Sequence, residues 1–289
     1  MKIDDNATPL FNALPPAAVK EQLRTLWHDV FGDSYEYIDA FFAAYPCEEV
    51  VHTLSIGGQV VSVLYALPFT LYNGGENVQA AYIYAVATHP HYRGRGYMSL
   101  LMRQVEQLLS GRGVRVLFLL PATDALRGFY ARLGYAHCSC REVKEYALRD
   151  GVGEDYTLEQ ASSANDIYSS WVGWQRAGWP VVLHSRELIA LNIASCRAQG
   201  GGCYMAMQGG QPVAAAFAIK DGARLLLLAV EGCDDAAREW LKGALCRSFS
   251  VGSLSYITAG GAPSFMWHWL CDAPAPQPPA VDISLMLDK

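Results

Sequence analysis

A chain of 289 residues is long enough for two ordinary domains or one large one. Its hydrophobic share of 52%, against 17% charged, supplies a sizeable core and excludes disorder over most of the length. The net charge of -6 excludes a global pull on nucleic acid or an anionic membrane, so any polyanion has to be held by a local cluster. The eight cysteines form no CxxC pair and read as buried thiols in a reducing compartment. Cys138-Ser139-Cys140 is the closest pair; it reads as strand residues, with no second ligand pair to make zinc or another metal expected. Met1-Lys2-Ile3 leads into Asp4 and Asp5 without the apolar run of a signal peptide, and no apolar stretch is long enough to span a bilayer. The expectation is a cytoplasmic protein without nucleic-acid or membrane partners, its oligomeric state open between monomer and homodimer.

Residues 19–45 read as two helices. Leu23, Leu26, Trp27, Val30 and Phe31 recur at helical spacing, as do Ile38, Phe41, Phe42 and Tyr45. Gly32-Asp33-Ser34 separates them, with Ser34 as N-cap. Gly57-Gly58 between Val- and Leu-rich runs signals a hairpin, and Asn73-Gly74-Gly75 a second break before a strand from Val78 to Thr88. Tyr97, Leu101, Val105 and Leu108 then form one apolar stripe, opposite Arg103, Gln104, Glu106 and Gln107, on a helix ending near residues 111–113. Val114–Leu120 reads as a fully covered strand. Thr123 caps a short helix carrying Leu126, Phe129, Tyr130 and Leu133, Gly134 stops it, and a last strand runs over 136–148. This first half is ααβββ followed by βαβαβ, a mixed sheet covered by helices.

A linker is expected at Arg149–Gly153. Beyond it come a helix with Trp171 and Trp174, a helix opened by Ser185, and a faint internal repeat. The run 205–213, with Gly209-Gly210 at its turn, echoes 54–61. Leu225–Val230 leading into a helix with Ala237, Trp240, Leu241, Ala244 and Leu245 echoes the strand and helix around residue 90. The matching order predicts a duplication. The tail, Ala273–Pro279, is stiff and extended, and Ile283–Leu287 reads as a closing strand.

The most informative segment is Val86-Ala87-Thr88-His89-Pro90-His91-Tyr92-Arg93-Gly94-Arg95-Gly96-Tyr97-Met98, which joins a strand to the start of an amphipathic helix. Gly94 and Gly96 allow a tight turn that bares backbone N–H groups. Those groups are the unpaired donors of a helix start, where the dipole also favours negative charge. Arg93 and Arg95 add two positive charges, and the combination suits a pyrophosphate. A nucleoside-triphosphate loop is excluded because GxxxxGK[ST] is absent. A dinucleotide fingerprint would want Gly at Ser99 and its first Gly directly at the strand end.

The run from Arg93 resembles the acetyl-CoA motif [Q/R]-x-x-G-x-[G/A] of the GNAT N-acetyltransferase superfamily. Arg93 and Gly96 fit its first two fixed positions, and Met98 stands where the family prefers Gly or Ala. Phe129-Tyr130-Ala131-Arg132-Leu133-Gly134-Tyr135 resembles the later FY-x-x-x-G-[FY] helix end of the same family. The resemblance covers residues 20–148. It implies an α/β fold with acetyl-CoA as cosubstrate, and no metal. The backbone of Val86, Ala87 and Thr88 would pair with the pantetheine arm where two parallel strands splay. The loop of Arg93, Gly94, Arg95, Gly96, Tyr97 and Met98 would hold the pyrophosphate. Tyr130 would act as general acid for the leaving thiolate, a role that a tyrosine hydroxyl can fill, or would be a core aromatic on the apolar stripe 126, 129, 130 and 133.

Many relatives place a Glu on the strand before the motif, at a position matching Tyr82. No carboxylate lies between Glu76 and Glu106, which leaves Tyr82, Tyr84, His52, a water or the C-terminal carboxylate of Lys289 to take the proton. An amine that arrives neutral needs no strong base, since proximity supplies much of the rate. The second half has Glu231-Gly232-Cys233-Asp234-Asp235 where the first has its loop, and this acidic pair would repel a pyrophosphate while Asp234 caps the helix. It therefore resembles a degenerate second acetyltransferase domain. Trp171, Trp174, Trp179, Trp267 and Trp269 line an acceptor pocket or simply pack. The expectation is thus two tandem GNAT-like mixed sheets flanked by helices, in domains 1–149 and 150–289. The expected activity is direct transfer of acetyl to a primary amine of a small molecule or peptide. The rivals are a non-catalytic acyl-CoA-binding or sensing protein and a transferase of longer acyl groups.

Overall fold

The computed structural model describes residues 8–148, 156–178 and 180–270. The expected linker at Arg149–Gly153, the Pro-rich tail, the closing strand Ile283–Leu287, Trp179, Cys271 and Lys289 lie outside them.

In chain order the elements are β1 (Leu10–Phe11), α1 (Pro16–Phe31), α2 (Tyr35–Ala44), α3 (Cys47–Val50), β2 (Val51–Ile56), β3 (Gln59–Asn73), β4 (Glu76–Thr88), α4 (Tyr97–Gly111), β5 (Val116–Leu119), α5 (Asp124–Ala131), β6 (Ala136–His137) and β7 (Cys140–Ala147). They continue as β8 (Thr157–Gln160), α6 (Tyr168–Ala177), β9 (Val181–Leu183), α7 (Arg186–Ala198), β10 (Gly202–Gln208), β11 (Gln211–Asp221), β12 (Arg224–Gly232), α8 (Asp235–Ser248), β13 (Ser253–Ala259), β14 (Ala262–Pro263) and β15 (Met266–Trp269). Two compact units result. The first takes in the described residues up to Thr70, Val78–Ala136 and those from Phe265; the second takes in Leu71–Asn77 and the described residues from His137 to Ser264. The expected cut at residue 149 falls outside the described residues, and the units interleave along the chain.

In the first unit, α1 closes at Gly32, whose φ of 74° lets its N–H reach the His28 carbonyl. The Ser34 hydroxyl accepts from Tyr37 N–H at 3.3 Å and opens α2. These helices bury Trp27 and Phe41 against one another and against Tyr65 of β3, with ring centroids 4.8–5.6 Å apart. On the other face of the sheet, Leu101, Met102, Val105 and Leu109 of α4 pack with Leu54, Ala81, Ile83, Leu117 and Leu119.

The strand order of the first sheet is β1-β2-β3-β4-β5-β15-β6, and of the second β8-β10-β11-β12-β13-β7-β14. Each has a two-glycine hairpin with positive φ at both central residues, 56° and 83° at Gly57-Gly58 and 58° and 75° at Gly209-Gly210. The register of each hairpin slips at the same offset from its turn, between Leu54 and Ser55 and between Ala206 and Met207. Each sheet has a parallel pair joined through a helix: β4 and β5 through α4, β12 and β13 through α8. The duplicated order of elements expected from the sequence is therefore present in the strands.

One expectation is corrected. The run 136–148 is two strands, interrupted at Cys138-Ser139, and its longer part, β7, pairs antiparallel with β13 in the second sheet. The place beside β5 is filled instead by β15, with Met266 opposite Leu119 and Trp269 opposite Val116. All four residues of β5 are buried, so an open edge there would strand backbone N–H and C=O groups in the core.

A chain ending at Leu148 keeps the acetyl-CoA motif but lacks β15. It is expected to be aggregated or molten by gel filtration and near-UV circular dichroism, whereas the chain through Lys289 elutes as a folded species.

Candidate active site

The site is built on β4. This strand pairs in parallel with β5 only from Ala80 opposite Val116 to Tyr82 opposite Phe118, and then runs on to Thr88. Ala85 has a φ of 44°, a left-handed conformation that a non-glycine residue adopts at a cost of about 1–2 kcal/mol. The side-chain alternation changes phase there. Ala81 and Ile83 face the α4 core, and the next residue packed against that core is Val86 instead of Ala85. Ala85 is therefore a bulge that turns the last stretch of β4 away from the β5 register. The sequence carried no signal for it, because alanine is not a residue that marks positive φ.

Beyond Thr88, Pro90–Tyr92 form one 3₁₀ turn, and Gly94 and Gly96 take φ values of 76° and 78°. A Cβ at either glycine would meet no heavy atom within 4 Å, so the backbone conformation itself calls for glycine there. Gly96 is the N-cap of α4, and no side chain caps that helix start. Helix geometry leaves its first N–H groups without intrahelical acceptors, and the dipole adds partial positive charge. Arg93, Gly94, Arg95 and Gly96 are all exposed. Arg93 Nε donates to the Thr88 carbonyl at 3.1 Å, tying the loop to the end of β4, and the Arg95 guanidinium lies 5.4 Å from the Tyr92 ring centroid. Tyr97 and Met98 are half-buried and pack against the α4 core. Together these leave an exposed, arginine-flanked and uncapped helix start.

The corresponding helix start in the second unit is closed. Asp234 caps α8, its Oδ1 accepting from Ala237 N–H at 2.7 Å. The carboxylate occupies the donors that are open at Gly96, and the hydrogen bond from Ala237 N–H holds its pKa below the ordinary range.

Thr123 caps α5, which sets Tyr130 in the same buried cluster as Ala81, Ile83 and Leu119 beside the splay. Tyr130 is 5% exposed, and burial pushes its hydroxyl up to about 12, so the phenol holds its proton at neutral pH. Tyr82 is 1% exposed and lies within an aromatic cluster of Phe69, Tyr84, Phe118 and Phe265. Tyr84, half-buried, places its hydroxyl 3.2 Å from that of Tyr37 on α2.

His52 is held differently. Asn12 Oδ1 accepts from Thr53 N–H at 2.8 Å, which turns its amide nitrogen toward His52 Nδ1 at 3.1 Å. The imidazole therefore accepts at Nδ1, stacks on Phe11, and is 4% exposed. Burial, with a smaller contribution from the charge on Arg112, pushes its pKa down to about 4. His52 is thus a neutral buried histidine bracing β1 and β2.

Among the tryptophans, Trp171 is buried against Phe217 in the core of the second unit and donates to His184 Nδ1 at 2.9 Å. Trp174 packs against the same core, and Trp267 and Trp269 meet edge to face on β15. Cys138 and Ser139 are buried in the break before β7, and Cys140 meets His137 Nε2 at 3.4 Å. Among the described residues no group of three His, Cys, Asp or Glu is placed to hold a metal, and no helix is long and apolar enough to cross a membrane.

An uncapped glycine helix start thus follows a bulged strand, with the buried Tyr130 in the same core cluster as that strand. The family model described as "Acetyltransferase (GNAT) domain" matches residues 17–138, and this part of the chain is a GNAT domain. Solved structures share the fold across both units. A probable N-acyltransferase of unknown function from Enterococcus faecalis V583 has a TM-score of 0.73 at 18% identity, covering 91% of this chain and 73% of its own. A GCN5-related N-acetyltransferase from Kribbella flavida has a TM-score of 0.71 at 18% identity, covering 90% and 71%. Eis1 from Mycobacterium abscessus has a TM-score of 0.67 at 15% identity, covering 91% and 74%.

Two outcomes follow from this geometry. Ala85→Val puts a β-branched side chain at a positive φ and is expected to cost about 2 kcal/mol or more, although valine is the better strand former, read by urea denaturation. The folded-state pKa of His52 lies below its unfolded value of 6.5. Its contribution is therefore complete above pH 6.5 and is lost as the pH falls toward 4. The loss is on the order of 3 kcal/mol, and His52→Gln should flatten melting temperature against pH across that window.

Proposed function

We propose that the protein transfers the acetyl group of acetyl-CoA directly to a primary amine in a ternary complex. The observation that carries this reading is the open, uncapped start of α4 at Gly96, next to a β4 edge that has left its pairing with β5. The backbone of Val86, Ala87 and Thr88 would add the pantetheine amides as a short strand. The N–H groups from Gly94 to Met98, with Arg93 and Arg95, would hold the pyrophosphate. Arg93 also clamps the loop to Thr88, so it serves geometry as well as charge. The thioester carbon would then lie near Tyr130, whose hydroxyl burial keeps protonated as the donor for the departing thiolate. Tyr82 stands where the family places a carboxylate, and its part is to set the aromatic wall behind the reacting centre. The acceptor is read as a small-molecule or peptide amine. Acyl transfer within this fold, the GNAT match and the absence of a competing anion motif support the reading.

Calorimetry with acetyl-CoA is expected to show tight binding by the wild type and at least a 10-fold loss in an Arg93→Glu, Arg95→Glu variant, since two favourable phosphate contacts become repulsive. Tyr130→Phe should bind acetyl-CoA like the wild type while CoA release with an accepted amine falls roughly 100-fold. A folded wild type that binds no acetyl-CoA would refute the reading, and binding without transfer to any amine would favour an acyl-CoA sensor.

A further inference from the structure

Resting on that transfer reading, we propose that Tyr84, oriented by Tyr37, is the catalytic group that receives the acceptor amine and passes its proton out. The position of Tyr84 is set by the bulge. It directly precedes Ala85 on β4 and lies past Tyr82, the last residue paired with β5. Its backbone thus stands at the mouth of the gap that the thioester arm would fill. Ala81 and Ile83 point to the α4 core, so Tyr84 projects from the opposite face, toward α1 and α2. Its ring is braced there by Trp27 at 5.5 Å and Phe41 at 5.5 Å. Unlike Tyr82, it is only half-buried. Its hydroxyl meets that of Tyr37 at 3.2 Å, and Tyr37, near the exposed start of α2, is half-buried as well. Two phenols in hydrogen-bond contact, one at the gap and one toward the surface, make a short path along which a proton can hop.

The chemistry balances without a carboxylate. The neutral amine nitrogen attacks the acetyl carbonyl carbon, the C–N bond forms and the C–S bond breaks. The surplus amine proton goes to Tyr84 Oη as the proton of Tyr84 passes to Tyr37 Oη and that of Tyr37 to solvent. The thiolate takes the proton of Tyr130, which solvent restores. The sum is amine plus acetyl-CoA giving acetamide plus CoA thiol.

The test uses the full chain, the wild type, Tyr84→Phe and Tyr37→Phe, both of which keep the ring packing. Acetyl-CoA affinity is measured by calorimetry, and free-thiol release with 2-phenylethylamine, hexylamine and spermidine. The expected result is unchanged acetyl-CoA affinity in all three proteins. Against whichever amine the wild type turns over, kcat/KM should drop roughly 100-fold for Tyr84→Phe. For Tyr37→Phe a smaller drop, carried by kcat at unchanged KM, is expected. Wild-type kcat/KM in Tyr84→Phe would overturn the inference and leave the transfer reading intact. Acetyl-CoA binding with no turnover of any of the three amines would also overturn it. A wild type that fails to bind acetyl-CoA would refute the transfer reading itself, and this inference with it.

Discussion

The constraint on which the rest of the molecule depends is the loss of parallel pairing between β4 and β5 after Tyr82 and Phe118. A sheet interior does not normally leave backbone donors and acceptors unused, because each costs about as much as a lost hydrogen bond. Here the strand carries on to Thr88 beyond the end of β5 at Leu119, with a strained alanine at position 85. The strain persists because the surroundings over-determine it: Ile83 on one side and Val86 on the other are both held by the α4 core. A ligand that brings its own amide groups gains partners that are already in place and aligned. Under the proposed reading, that preorganisation would favour an extended pantetheine arm over a compact ligand.

The two units show what the same order of elements does with and without this opening. Each passes from a strand through a tight turn into a helix and then a parallel strand. In the first, the turn is glycine-rich and the helix start is bare. In the second, Asp234 fills the corresponding donors with its own carboxylate, at 2.7 Å from Ala237 N–H. A helix start satisfied this way gains capping stability of about 1 kcal/mol and loses its attraction for an external anion. The first unit gives up that capping. The exchange leaves an anion-attracting helix start in the first unit and a closed one in the second.

Much of this was legible in the sequence. Helical spacing gave α1, α2, α4 and α5, the capping residues Ser34, Thr123, Ser185 and Asp234 marked real helix starts, and Gly57-Gly58 and Gly209-Gly210 marked real hairpins. Local chemistry decides such features, so local sequence shows them. The partner of β5 was not legible. A short apolar strand such as Met266–Trp269 can close any edge with the right neighbours, and nothing in four residues records which edge that is. The placement of β7 was missed for the same reason. The bulge at Ala85 was hidden because the conformation is imposed by tertiary packing on a residue with no preference for it. His52 and Tyr82 were ambiguous as letters, since burial and partners determine whether a ring titrates or packs.

The proton inventory constrains the proposed reaction further. The groups in the proposed path are phenols, and a phenol can pass a proton but does not store one as a cation. Tyr130 is held neutral by burial, with its pKa up near 12, so it too is poorly suited to ionise ahead of need. Neither end of the path can therefore run far in advance of the other. Loss of the amine proton and protonation of the leaving sulfur have to be closely timed with the making and breaking of bonds at the acetyl carbon. In the proposed path no group strips an ammonium ion before attack, so the reaction would draw on the fraction of acceptor that arrives as free base. An aromatic surround favours that form, because desolvation disfavours the charged amine and leaves the neutral one competent to attack.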